Sequence, residues 1–226
     1  MQYRALEVII MELVQVDTQR AYEKIREKII TLELAPGSMI NEQHLAEELN
    51  LGAAPTREAL KLLAHDELVS ITPRHGLYIA DISIPDLEQL SEMRLPLESL
   101  CARLAARRAD ADDLMVLEAL RKEQTSIPPE DSRSLLDIDH KFHQTLVQAA
   151  KNKYLARTLE HFFGLSQRLW YMALPHLDFL PTAVAEHLDI VEAIKNRDED
   201  RAAKMMHDHV KAFYGKVKEV LEASVK

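Results

Sequence analysis

The sequence predicts a mainly α chain in two parts: a small N-terminal unit of short helices closed by one β-hairpin, then an all-α antiparallel helical bundle. Three observations point there. The composition is rich in Ala, Leu, Glu and Arg, with only 5 glycines and 5% aromatic residues, which favours helices. Between residues 69 and 80 the pattern switches to β-branched alternation around a turn. From residue 86 onward, apolar residues recur at helical spacing almost without interruption.

Residues 1–17 show no clean period and are expected to form an extension. Asp17 or Thr18 is expected to cap a helix whose inner face is Ala21, Ile25, Ile29 and Leu32. Pro36-Gly37 ends it in a turn. A second helix is expected near 42–49, with Leu45 and Leu49 inward. A third opens at Pro55, a favourable first helical position, and buries Ala59, Leu62 and Leu63. Val69 to Thr72 and Leu77 to Ala80 read as strands, joined by the turn Pro73-Arg74-His75-Gly76. Three helices followed by a hairpin make a winged helix-turn-helix, placed at 18–82 with the hairpin as its wing. Asp81 to Asp86 reads as a linker.

The second part, 83–226, is expected to hold helices near 86–108, 111–124, 132–150, 152–173, 182–196 and 198–222. Pro128-Pro129, Pro175 and Pro181 act as separators.

Composition narrows the function. The chain of 226 residues carries a net charge of −9, and residues 1–83 hold 8 basic against 13 acidic side chains, a net of −5. Any nucleic-acid contact must therefore come from a local basic patch. One cysteine, Cys101, excludes an internal disulfide. The first ten residues have no basic segment followed by a long apolar run, and no window approaches 18 apolar residues, so no signal peptide or membrane span is expected and the location is read as cytoplasmic.

Polar side chains interrupt the apolar stripes of the second part. Near 132–150 the stripe runs Leu135, Asp139, Phe142, His143, Leu146 and Ala150, with Asp139 and His143 one turn apart on one face. His187 shares a stripe with Ala183, Val184, Val191 and Ile194, and His209 with Ala202, Met206, Phe213 and Val220. A carboxylate facing a core is costly unless it is paired or bound to metal. A lone inward histidine is usually a satisfied core residue. One Asp and three His turned inward from three helices instead suit one divalent metal per chain, Zn²⁺, Ni²⁺ or Mn²⁺. His140, His161, His176 and His207 are less well placed. Arg94 is a further intrusion, on the stripe Leu87, Leu90, Leu97, Cys101 and Leu104. It admits two compatible readings: an ion pair with Glu98, or a fork for a carboxylate ligand that also touches the metal.

Several motifs together resemble a known family. Leu34-Ala35-Pro36-Gly37, Glu42-x-x-Leu45-Ala46-x-x-Leu49, Pro55-x-Arg57-Glu58-Ala59-Leu60-x-x-Leu63, Leu68-Val69 and His75-Gly76 resemble the winged helix of GntR-family regulators. Arg94-x-x-x-Glu98, Asp139-x-x-Phe142-His143-x-x-Leu146, Glu186-His187 and His209 resemble the FCD ligand domain of the FadR subfamily, and the likeness spans roughly residues 18–222. The resemblance implies a homodimeric, metabolite-responsive transcriptional regulator, read as a repressor and not an enzyme. It would bind a pseudo-palindromic operator in double-stranded DNA and release it when a small carboxylate effector binds. It also implies that Asp139, His143, His187 and His209 hold the metal. The third helix would enter the major groove and the wing the minor groove. On this reading Thr56, Arg57, Lys61, Arg74, His75 and Gly76 form the DNA-binding set. The chain departs from the family before the third helix. Where members read roughly Ser-Arg-Thr-Pro-Val-Arg, it has Gly52-Ala53-Ala54-Pro55-Thr56-Arg57, so one arginine for guanine reading is an alanine. For Arg57 itself a pair with Glu58 or a phosphate-only contact competes with base reading.

Two other functions compete. A metal-dependent hydrolase would use an open metal position to activate water. His207-Asp208 resembles the helical HD-type phosphohydrolases, although no Asp follows Asp208. A metal-stabilised dimer whose DNA half has lost its function is the third.

Overall fold

A computed structural model describes the backbone of residues 2–224 and the side chains of 15–223. The chain divides into two compact units, Met1–Ile82 and Ser83–Lys226.

The first unit contains α1 (Gln2–Ile30), α2 (Glu42–Leu49), α3 (Ala53–His65), β1 (Val69–Thr72) and β2 (Gly76–Ile79). The helix expected to start at Asp17 or Thr18 instead begins at Gln2, because no Gly or Pro interrupts residues 1–30. The first fourteen side chains of the expected extension, and all of Met1, lie outside the described residues. Ala21, Ile25 and Ile29 of α1 are fully buried and pack chiefly against α3. Leu32 stands past the helix end with φ of 63°.

Asn41 caps α2 through its side chain, and Asn50 closes it in the left-handed region at φ 53°. Helix α3 begins two residues before Pro55, with Gly52 as its cap. Pro55 still fits there, since the first-turn N–H groups have no intrahelical partner. Its buried face is Ala59, Leu60 and Leu63. Leu62 was expected inside but is 46% exposed, because it lies about 100° around the helix from Leu63, beyond the edge of the buried face.

The hairpin is antiparallel, pairing Val69 with Ile79 and Thr72 with Gly76. Gly76 thus opens the strand rather than ending the turn, and the tip is Pro73, Arg74 and His75. Met39 bridges to Tyr78 on the outer side of β2. Gly37 sits in that segment at φ +72°, and its N–H donates to the Ile79 carbonyl at 3.0 Å.

The second unit is a helical bundle: α4 (Ile84–Arg108), α5 (Ala111–Thr125), α6 (Ser132–Ala149), α7 (Lys153–Ala173), a 3₁₀ turn (Leu174–His176), α8 (Leu180–Lys195) and α9 (Glu199–Ser224). The expected linker is shorter than the sequence suggested. Ser83 and Asp86 form a reciprocal capping box, so α4 starts at Ile84 with Pro85 in its first turn. Pro181 likewise falls inside the first turn of α8 instead of separating elements. Helices α4 and α9 share the most extensive contact, and α6, α7 and α8 pack around them. No helix among the described residues is long and apolar enough to cross a membrane.

Candidate functional site

Asp139 and His143 lie one turn apart on the inner face of α6, His187 on α8 and His209 on α9, and all four are buried. The structure brings these four sequence-predicted residues together. Their ligand atoms lie within 4.8 Å of one another. The Nε2 atoms of His187, His143 and His209 are 3.3, 3.8 and 4.0 Å from Asp139 Oδ1. The Nε2 atoms of His187 and His209 are 3.3 Å apart. Metal bonds of about 2.0–2.2 Å place neighbouring donors roughly 3.0–3.5 Å apart, so the cluster is close to a coordination shell.

The donors around the cluster fit the same reading. Asp139 Oδ1 is buried and accepts no well-aligned hydrogen bond, an arrangement that a cation satisfies. Two histidines turn their other ring nitrogen to a carboxylate. His209 Nδ1 donates to Glu186 at 2.8 Å, and His143 Nδ1 contacts Glu98 Oε2. Such outer carboxylates fix the tautomer that leaves Nε2 free to coordinate. Phe142 stacks on His187 with ring centroids 3.8 Å apart, which holds that imidazole in place.

Arg94 is buried in the same region. Its Nε donates to Glu98 Oε1 at 2.7 Å, and its Nη1 donates to the Tyr214 hydroxyl at 2.9 Å. The guanidinium lies 4.2 Å from the Phe163 ring centre and 4.8 Å from that of Trp170. The ion-pair reading of Arg94 is therefore realised. The side chain also lines a small cavity of about 10 Å³ together with Asp139, His143, His209, Trp170 and Tyr214.

Burial opposes charge at each of these groups, and their neighbours decide the outcome. For Glu98, burial raises the pKa, but Arg94 and His143 outweigh it and hold the group at about 2. For Asp139, burial is likewise overcome by His187, His143 and His209, and the carboxyl stays well below its usual range. Burial pushes His187 down to about 3 and so keeps it neutral. His143 is raised: burial lowers it, and the contact with Glu98 more than offsets that. A carboxylate beside the neutral His187 imidazole is what a divalent cation requires, and His143 gives up its proton to join it.

Sequence reasoning missed Tyr214, Ser166 and Trp170. Ser166 and the Tyr214 hydroxyl are 2.7 Å apart in the interior. Periodicity held a signal: Tyr214 follows Val210 by four residues and precedes Val217 by three, and Ser166 stands between Phe163 and Trp170 at i+3 and i+7, all buried. Asp208, the residue behind the phosphohydrolase alternative, is exposed and pairs with Lys204, outside the cluster.

In the first unit Ala53, Ala54, Arg57 and Lys61 are exposed along one face of α3. Arg57 pairs with Glu42 of α2 at 2.9 Å rather than with its neighbour Glu58, which instead takes Lys61 at 2.7 Å. Arg74 and His75 are exposed at the hairpin tip, with Arg74 at φ 67° and Gly76 at φ 110°. Thr56 departs from the expected DNA-binding set. It is fully buried, and its hydroxyl donates to the Gly52 carbonyl one turn back at 2.9 Å, so its side chain packs inward against its own helix.

Comparison with known proteins follows the same division. Residues 17–79 match the model of bacterial regulatory proteins of the gntR family, and residues 89–212, more than half of the chain, match the FCD domain. The HTH-type transcriptional repressor RspR of Escherichia coli (strain K12) is 28% identical over 203 residues, covering 89% of each chain. An HTH-type transcriptional regulator of Bacillus subtilis (strain 168), YdhC, is 29% identical over 204 residues, covering 89% of this chain and 91% of its own. Among solved structures, E. coli McbR/YncC superposes with a TM-score of 0.80 at 17% identity, over 90% of this chain and 97% of that one.

Proposed function

Since the chain belongs to the gntR family of bacterial regulatory proteins and carries an FCD domain, we propose that it is a cytoplasmic, homodimeric repressor whose helical unit holds one divalent metal and a small carboxylate effector. The observation that carries this reading is the convergence of Asp139 Oδ1 and three histidine Nε2 atoms beside a cavity lined by Asp139, His143, His209 and Arg94. Asp139, His143, His187 and His209 would hold the metal, with Zn²⁺ or Ni²⁺ favoured by the donor set and Mn²⁺ also accommodated. Bound there, the metal supplies a positive centre for a carboxylate oxygen. Arg94 supplies the second positive group, and Glu98 orients both Arg94 and His143. Phe163 and Trp170 shield the guanidinium from water, which strengthens its pull on an anion.

In the first unit, α3 serves as the recognition helix, presenting Arg57 and Lys61 to the major groove. The hairpin presents Arg74, His75 and the backbone at Gly76 to the adjacent minor groove. With alanines at 53 and 54, base contact from that turn is apolar, so Arg57 carries most of the polar reading. The chain is not a hydrolase: both matching families are regulators, and its relatives are named as such.

The test is a titration of the metal-loaded protein onto its own promoter DNA, followed by fluorescence anisotropy. Carboxylates should release the DNA, and a chelator should abolish that release. Binding indifferent to every acid and to chelation would overturn the sensor reading.

A further inference from the structure

Tyr214 lines two spaces in the helical unit. It lines the inner cavity with Arg94 and Asp139, and it lines a surface groove of about 460 Å³ between α4 and α9. The inner cavity, at about 10 Å³, scarcely holds one water and falls far below the range of roughly 300–1,000 Å³ usual for small-molecule sites. The outer groove is ample. Beside Tyr214, a side chain on exposed Gly215 would meet nothing within 4 Å. Lys211 and Lys218 stand in the groove wall with Glu88 and Glu92, and Lys218 is paired with Glu88.

The Tyr214 hydroxyl has two partners. It accepts from Arg94 Nη1 at 2.9 Å, and it shares a hydrogen bond with Ser166 at 2.7 Å. A phenol oxygen carries no charge, whereas a carboxylate adds charge–charge attraction to the guanidinium and can bind its fork through two oxygens. An entering carboxylate would therefore displace the phenol from Arg94 and gain the volume that the ring leaves.

We propose that Tyr214 is an internal stand-in for the effector's carboxylate: it closes the cavity while bound to Arg94, and the acid enters from the α4–α9 groove by displacing it. This rests on the carboxylate-sensor reading above. Ser166 is the latch that holds the closed position, and Tyr214 sets the acid's apparent affinity through the fraction of protein in which Arg94 is free.

The chain's single tryptophan, Trp170, lines the same cavity and reports its occupancy. In stopped-flow experiments on zinc-loaded full-length protein, its emission is followed against glycolate, malate and citrate. In the wild type the rate should level off at high acid, because opening limits entry. Tyr214→Phe keeps the ring but frees Arg94 and Ser166. It should tighten binding about fivefold or more and raise the plateau. Ser166→Ala should move both in the same direction, by less. Weaker binding by Tyr214→Phe, or an unchanged plateau, would overturn the gate while leaving the sensor intact. No acid binding to the wild type and both variants would take down the sensor reading, and the gate with it.

Discussion

His187 and His209 face each other through their Nε2 atoms, 3.3 Å apart, from two different helices. His209 directs its Nδ1–H to Glu186, so its Nε2 carries a lone pair toward the centre. Burial keeps His187 neutral. Asp139 Oδ1, 3.3 Å from His187 Nε2, adds negative charge to the same point. A divalent cation satisfies all three, and elemental analysis of purified protein should find about one per chain. Dialysis against chelator should lower the melting temperature; free metal at 100 times its Kd returns about 2.7 kcal/mol. Protein isolated at neutral pH without chelator and free of metal would rule the site out.

His187→Ala separates ligation from packing. The ring also stacks on Phe142, so its loss leaves a cavity as well as an open coordination position. The variant should melt lower than the wild type, and the deficit should be larger with metal than in chelator. An equal deficit in both conditions would mean that the imidazole acts by packing alone.

The site was readable because each of its four side chains breaks an apolar stripe on its own helix, and inward direction follows from the 3.6-residue period. Partners on other elements were not readable. Arg57 meets Glu42, fifteen positions away, only because α2 packs on α3. Tyr214 was passed over because a tyrosine in an apolar stripe looks like core until Arg94 is seen beside it. Thr56 was misread because exposure was assigned from a motif, whereas its neighbours Pro55, Ala59 and Leu60 place it on the buried side. Helix starts shifted at Ser83 and Gly52 for local reasons, a capping box at the first and an extended glycine at the second.

Glu98 joins the two halves of the cavity, with Oε1 on Arg94 and Oε2 on His143. Glu98→Gln keeps the shape but leaves Arg94 as a buried cation without its counter-charge, which should cost about 3 kcal/mol or more. Adding Arg94→Met should recover part of that loss, because the double variant holds no unpaired charge. Denaturant unfolding of the four proteins gives the coupling. Strict additivity would show that the pair is not a unit.

Arg57 is held by Glu42 on the exposed face of α3, so DNA must compete with that carboxylate. The pair is exposed and worth little in stability, about 1 kcal/mol at most. Breaking it should therefore change binding more than melting. Arg57→Ala should weaken binding to the promoter and reduce the salt dependence by about one charge. Glu42→Gln should do the opposite to affinity, since it frees Arg57 and removes a negative charge that faces the phosphates. Anisotropy titrations at three salt concentrations distinguish the cases. If Arg57→Ala binds with unaltered affinity and slope, Arg57 belongs to the fold of the helix pair and the DNA contact lies elsewhere on the unit.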